Sequence, residues 1–361
     1  MTILGANRDL NLDLLRTAAI TAVVAGHLPV LSPVHRPSLI NALWIGQFGV
    51  DLFFVLSGWL IGGLYLREWQ ASGHVRALHF IARRTLRTLP PYYVALFAAW
   101  AGARLLKASH PAFDLHYMLV VQNYFYPMPY FAVSWSLCIE EHFYLILPLA
   151  GMLMRKLLKD AGWLLAAGLL ISPLCRTLLY DSPSIDVFDP SMLATHTHLD
   201  GLLTGCTLAW LANCRPKLWL RWSSHCRRLT WLAVLLLLPV SWIPARWFYC
   251  IGYTYVSVLF AILVSAWSGA PALPVARWTW TGRIARTSYS IYLVHSFALQ
   301  AARQLAQHAV PVQEAVYYLS AGLFMFVAVV PFYLLIERTA MRWRQLLTAP
   351  EASAIPALTV T

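Results

Sequence analysis

The sequence predicts an all-α fold: a polytopic membrane helix bundle of about 10 transmembrane helices, with both termini on the cytoplasmic side. Three observations carry this. First, 59% of the 361 residues are hydrophobic and only 12% charged, with a mean hydropathy of +0.60, whereas soluble domains run near a quarter charged. A chain this long with so few charges cannot cover a water-facing surface. Second, apolar segments recur at about the 20-residue length that a hydrocarbon core of about 30 Å requires. Third, the basic residues collect in alternate connections between those segments.

Taken in order, the predicted spans are 13–32, 42–66, 88–106, 131–154, 162–180, 198–213, 229–245, 249–268, 287–303 and 314–337. The first opens after the polar stretch Asn7-Arg8-Asp9 and carries Arg16 and His27. It therefore reads as a retained helix and not as a cleaved signal peptide. The segment 115–127 is too short and polar to span, and is expected to lie at the interface or re-enter the bundle. The shorter spans need burial among neighbours.

Orientation follows from charge. With the N-terminus inside, 20 of the 27 Lys and Arg residues fall in or beside inner segments: Arg8, the 67–87 loop, 155–159, 215–228, 277–286 and 338–344. The outer loops hold six, namely Arg36, Arg104, Lys107, Arg176, Arg246 and Arg303. The acidic loop with Asp181, Asp186 and Asp189 also falls outside. This distribution explains the formal charge of +12 without nucleic acid, since the basic residues sit in short clusters between apolar runs. Sixteen Trp and 17 Tyr suit headgroup depth. The six cysteines show neither C-x-x-C spacing nor a disulfide framework. No metal-ligand set is read. No internal repeat or second domain is visible, so residues 1–345 are expected to form one membrane domain, with a short disordered tail over 346–361.

Ionisable residues inside spans are costly and normally face a cavity, a partner or a substrate path. The first helix carries Arg16 and His27, roughly 16 Å apart along the axis and close to one face. The bland reading is a snorkelling arginine and a hydrogen-bonded core histidine. The second span carries Asp51 and Ser57. The fourth carries Ser134, Trp135, Ser136, Glu140, Glu141 and His142. Adjacent helical residues point about 100° apart, so Glu140 and Glu141 cannot both serve one point. Asp200 and His295 add ionisable groups at helix depth. Together these positions describe a polar cavity in a helix bundle. The stretch Arg83-Arg84-Thr85-Leu86-Arg87 places guanidinium forks suited to phosphate on a helix face, against the plain alternative of a positive-inside anchor.

These residues resemble the acyltransferase-3 family of membrane O-acyltransferases over nearly the whole chain, from about residue 8 to 343. Asn11-Leu12-Asp13-Leu14-Leu15-Arg16 with His27 is similar to the family's opening Arg-x10-His motif. Gly49 to Gly58 resembles its second signature, and Arg83 to Arg87 with Pro90 and Tyr92 its cytoplasmic arginine motif. Ser134 to Leu137 and Glu140 to Tyr144 resemble the fourth-span motif. Ser288 to His295 resembles the late one. His142 stands where Gln is expected, His198 precedes Asp200 where the family often has Arg, and Thr339 replaces a usual Pro. The resemblance implies the stand-alone form, without the extracytoplasmic hydrolase-like domain that some members append, in a bacterial inner membrane.

The resemblance also implies an acyl-CoA donor, most often acetyl-CoA, entering from the cytoplasm as a substrate; no permanently bound cofactor is expected. Arg83, Arg84 and Arg87 would hold its phosphates, with Arg16 further along. The acceptor would be a hydroxyl of a carbohydrate: a cell-surface polysaccharide, lipopolysaccharide, lipid-linked sugar or glycoside. Acyl transfer to a hydroxyl needs a base and oxyanion donors. His27 is the expected base, with Asp51, Glu140 or Glu141 as the carboxylate that orients it. Ser57, Ser134, Trp135, Ser136, Asp200 and His295 are expected to line the acceptor side or the cavity. The alternatives are a transporter or flippase of a polar or glycolipid substrate, and an inactive partner on an enzyme-like scaffold. Intramembrane charges also suit a transporter, but no inverted repeat or paired broken helix supports it.

Overall fold

The computed structural model describes residues 8–34, 44–105, 113–125, 128, 130–153, 167–180 and 193–347, and among these there is no strand. The chain begins with α1, Leu10–Val30. Asp9 caps it, accepting from the backbone N–H groups of Asn11 (3.0 Å) and Leu12 (3.2 Å), which satisfies two donors the helix itself leaves open. Helix α2, Gly49–Ser72, ends at Gly73, whose φ of 71° suits the left-handed cap. Helix α3, Ala77–Leu105, contains Pro90 and Pro91, which remove two backbone donors in mid-helix.

The stretch expected to be interfacial or re-entrant forms two 3-10 turns, Leu115–Tyr117 and Gln122–Tyr124, that bury Tyr117, Gln122 and Asn123. Then follow α4 (Trp135–Leu153), α5 (Ile171–Leu179), α6 (Asp200–Cys214) and α7 (Pro216–Leu237). The last three are α8 (Ala245–Trp267), α9 (Thr279–Gln307) and α10 (Gln313–Leu347). Helices α8 and α10 each hold a π-helical turn, at Phe248–Gly252 and Phe332–Glu337.

A described helix falls in each predicted segment, but the ends differ in one consistent way. Among the described residues, the basic stretches at 76–87, 215–228, 279–286 and 338–344 are largely helical. Helix α7 starts at Pro216, α9 at Thr279, and α3 at Ala77, so Arg83, Arg84 and Arg87 all lie on α3. Lys and Arg are good helix formers, and hydropathy registers only the apolar part of such a helix. Helix α10 runs on to Leu347, past residue 345; the remainder of the expected tail and the acidic loop with Asp181, Asp186 and Asp189 lie outside the described residues.

Among the described residues, three helical stretches are long and apolar enough to cross a membrane: Gly46–Ser72, Ala245–Trp267 and Gln313–Leu347. Leu319, Leu323, Phe326 and Val327 lie exposed on α10, a face that lipid tails solvate without cost. The chain is a membrane protein. Its central helix is α2, which packs on α1, α4, α6 and α8. The most extensive contact is with α6. Both helices carry glycines four apart, Gly58 and Gly62 on α2 and Gly201 and Gly205 on α6, the spacing that lets helix backbones approach closely in membranes. Gly205 meets Gly58, Gly201 meets Phe54 and Gly62 meets Cys206. A Cβ on Gly58 would collide with the Leu202 carbonyl, and one on Gly205 with the Val55 carbonyl. Ser57 on α2 and Asp200 on α6 are thus set on a tightly fixed pair.

Candidate active site

Asn11 and Asp13 anchor the first turn of α1, ahead of Arg16 on the same helix. The Asn11 amide donates to the carbonyls of Trp267 (3.1 Å), Ala270 (3.2 Å) and Pro271 (3.2 Å), and its oxygen accepts from Leu273 N–H at 2.9 Å. Asp13 pairs with Arg8, which also donates to the Gly282 carbonyl at 3.0 Å. Thr17 donates to the Thr281 carbonyl at 2.9 Å. These bonds lock α1 to the segment leading into α9.

Arg16 then faces a cavity of about 120 Å³, whose polar lining includes Ser57 from α2, Arg84 and Arg87 from α3, and Ser136 and Glu140 from α4. That volume is several times what one water needs. Ser57 Oγ donates to one Glu140 oxygen (2.8 Å) and Tyr144 OH to the other (2.9 Å). Tyr292 donates to the Val133 carbonyl (2.6 Å), so Ser136, 2.6 Å from the same phenol oxygen, is the donor to it. Arg84 lies over the Phe80 ring at 5.9 Å. Three guanidinium groups therefore confront one carboxylate, and none of the three lies within ion-pair distance of a carboxylate among the described residues.

Glu141, one residue on, turns away from this cavity. It is buried against the hydroxyls of Thr88 and Thr85 (3.4 Å) on α3. Adjacent carboxylates thus take different work: one faces the cavity and the other ties α4 to α3.

His27 lies elsewhere. Its ring meets that of His295 edge to face, with centroids 4.9 Å apart and planes at 75°. His27 Nδ1 is 2.8 Å from the Val23 carbonyl and His295 Nδ1 is 2.6 Å from the Tyr292 carbonyl. A carbonyl only accepts, so in both neutral rings Nδ1 carries the hydrogen and Nε2 the lone pair. His295 Nε2 is buried without a hydrogen-bond partner among the described residues. The expectation that a carboxylate orients His27 is not met: the Val23 carbonyl does so, one helical turn back. The three carboxylates considered for that task are engaged elsewhere, Glu140 and Glu141 as described and Asp51 beside His198.

A second buried polar cluster surrounds Asp51. His198 Nε2 is 3.6 Å from its Oδ1. The His198 ring packs against Tyr253 (4.3 Å), Trp135 (5.0 Å) and Phe54 (6.0 Å), and Phe54 also lines the arginine cavity. Next to it Arg176 grips Asp200 with both terminal nitrogens, at 2.7 and 3.2 Å, and also donates to Thr254 Oγ (2.9 Å) and to the carbonyls of Thr197 and Cys250. This corrects the reading of Arg176 as an outer-loop charge. It is fully buried, because a bidentate carboxylate and further acceptors replace its water. Ser134 is structural as well, accepting from Gln122 (2.9 Å) and donating to the Phe131 carbonyl (2.6 Å).

Of the residues the sequence singled out, the structure gathers Arg16, Ser57, Arg84, Arg87, Ser136 and Glu140 on one cavity. It leaves Arg83 exposed outside it, pairs His27 with His295, and places Asp51, Trp135 and Asp200 in the second cluster. Sequence reasoning missed Arg176 and Glu337, the latter buried and accepting from both the N–H and the hydroxyl of Ser290. An acidic residue at the end of an apolar run was the available signal; the π-helical turn that holds it is seen only in the fold.

Residues 9–334 match the acyltransferase domain family. The chain is 32% identical over 225 residues to the peptidoglycan O-acetyltransferase OatA of Listeria monocytogenes, covering 56% of this chain and 33% of that protein. A putative O-acetyltransferase of Staphylococcus aureus is 27% identical over 321 residues, 79% of this chain and 49% of its own. The putative peptidoglycan O-acetyltransferase YrhL of Bacillus subtilis is 28% identical over 317 residues, 79% and 47% respectively. The chain thus spans between a third and a half of the length of these curated relatives. No solved structure matches it.

Proposed function

Because the chain belongs to the acyltransferase-3 family, we propose that it is a multi-pass membrane O-acetyltransferase, with about ten spans and both ends inside. In this reading it moves an acetyl group from cytoplasmic acyl-CoA to a hydroxyl of a cell-surface carbohydrate. The observation that carries the proposal is the convergence of Arg16, Arg84 and Arg87 on one small cavity, with no directly paired carboxylate among the described residues. A site with surplus guanidinium groups calls for an anionic ligand, and the phosphates of a CoA thioester supply one. Relatives named for peptidoglycan O-acetylation support a carbohydrate acceptor, with peptidoglycan as the first to test.

The chemistry assigns roles in turn. The thioester arm passes the arginines towards His27 along α1. His27 Nε2, its lone pair fixed by the hydrogen bond at Nδ1, takes the proton of the acceptor hydroxyl as that oxygen attacks the thioester carbonyl. The C–S bond breaks, the ester forms, and the imidazolium returns its proton to the departing thiolate, giving free CoA.

The test is acetyl-CoA binding by purified protein, followed by turnover in proteoliposomes supplied with peptidoglycan fragments. Saturable binding, lost in the Arg83→Ala/Arg84→Ala/Arg87→Ala variant, and acceptor-dependent release of CoA are expected. Movement of a glycan across the bilayer without CoA release would replace this reading with a transporter.

A further inference from the structure

The arginine cavity is too small for a whole CoA molecule, and it is not isolated. A second chamber of about 790 Å³ opens between the end of α2 and the start of α3, and the two share one side chain, Arg84. The outer chamber is strongly basic: Arg67, His74, Arg76, His79, Arg83 and Arg84 line it. Its one carboxylate, Glu68, accepts from the Arg76 backbone N–H at 3.0 Å. With Arg67, Arg76, Arg83 and Arg84 on one chamber and Glu68 already engaged, the lining suits an anionic ligand. The volume lies within the range of small-molecule sites, whereas the inner cavity has room only for a small group.

We propose that the outer chamber is the docking site for the phosphorylated nucleotide end of the acyl carrier. Arg67, His79 and Arg83 take the phosphate oxygens at its nucleotide end, and Arg84, common to both spaces, holds the phosphate nearest the thioester arm where that arm enters the inner cavity. The inference rests on the acyl-CoA reading and deepens it, by assigning Arg67 and His79 to phosphate recognition and separating recognition of the nucleotide from recognition of the thioester. A phospholipid headgroup offers the same phosphate chemistry. The continuity through Arg84 favours the nucleotide, because a carrier seated there delivers its thioester inward.

The experiment measures the Kd of the detergent-purified full chain for acetyl-CoA and for S-acetyl-pantetheine, which lacks the nucleotide. It compares wild type, Arg67→Ala, Arg67→Lys and His79→Ala, with thermal melting of each as a check on folding. Arg67→Ala is expected to weaken acetyl-CoA about tenfold, as the loss of one charge-assisted hydrogen bond implies, to leave S-acetyl-pantetheine unchanged, and to recover in part as Arg67→Lys. Equal loss for both ligands, or wild-type acetyl-CoA affinity in both alanine variants, overturns the chamber while leaving the donor reading intact. Wild type that binds neither thioester removes the donor reading itself. Retention of phosphatidylglycerol in nanodiscs supplies the last arm. If Arg67→Ala loses the lipid and keeps acetyl-CoA, the chamber is a headgroup site and the proposal fails.

Discussion

His27 and His295 meet edge to face at 4.9 Å, and each turns Nδ1 towards a backbone carbonyl. Both Nε2 atoms are therefore lone-pair sites in the neutral rings, set by helix backbone and not by an acidic partner. Two positive charges roughly 5 Å apart repel by about 3 kcal/mol at an effective dielectric of 20, so the pair carries one proton more readily than two. Such an arrangement suits transient acceptance of a single hydroxyl proton.

Replacing His27 by Ala is expected to lower acceptor-dependent CoA release by about 10²- to 10⁴-fold, the range for removal of a general base. Its expression and melting temperature should stay near wild type. Turnover retained in that variant removes His27 from the reaction.

His295→Asn separates structure from chemistry. The Asn amide can still donate towards the Tyr292 carbonyl, but it has nothing in place of Nε2. Slower turnover with an unchanged melting temperature is expected, with acetyl-CoA affinity also unchanged. If both turnover and stability match wild type, the unpartnered nitrogen has no part in handling the acceptor.

The neighbouring glutamates should behave differently. Glu140→Ala removes the acceptor of both Ser57 and Tyr144 at the cavity wall and is expected to impair acetyl-CoA binding or turnover. Glu141→Gln keeps one acceptor oxygen for the Thr88 hydroxyl and should retain most activity, with at most a lower melting temperature. The reverse pattern, measured on the two variants side by side, would exchange their roles.

Arg176→Leu should cost about 3–5 kcal/mol, because it leaves the Asp200 carboxylate buried without its bidentate partner. The double variant Arg176→Leu/Asp200→Leu is expected to lose less than the sum of the two single changes. Unfolding monitored in detergent reads both; strict additivity would mean the pair is not energetically coupled.

Much of the architecture was legible because lipid imposes a simple rule: apolar length marks helices. The same rule hid the ends of α3, α7 and α9, whose basic turns are helical although hydropathy is blind to them. At the site, Arg16, Arg84, Arg87 and Glu140 stood out as charges where charges are costly, and they converge. Arg176 did not, since an arginine near the end of an apolar run reads as a loop charge until Asp200 is seen beside it. The partner of His27 was equally out of reach. A backbone carbonyl orients it, and sequence carries no mark of which carbonyl a ring will find. The glycine spacings on α2 and α6 were visible in the sequence, but their pairing needed the fold.

That pairing has a mechanical consequence. Where Gly58 and Gly205 lay backbone against backbone, there are no side-chain rotamers to slide over one another, and shear of packed helices depends on such small repacking steps. The α2–α6 pair is therefore the stator of the molecule. The opposite wall, where α4 meets α2, is held by contacts that side chains can change: the Ser57–Glu140 hydrogen bond and the Phe54–Trp135 ring pair at 6.1 Å. One wall is fixed by backbone contact, and the other by contacts that a rotamer change can undo.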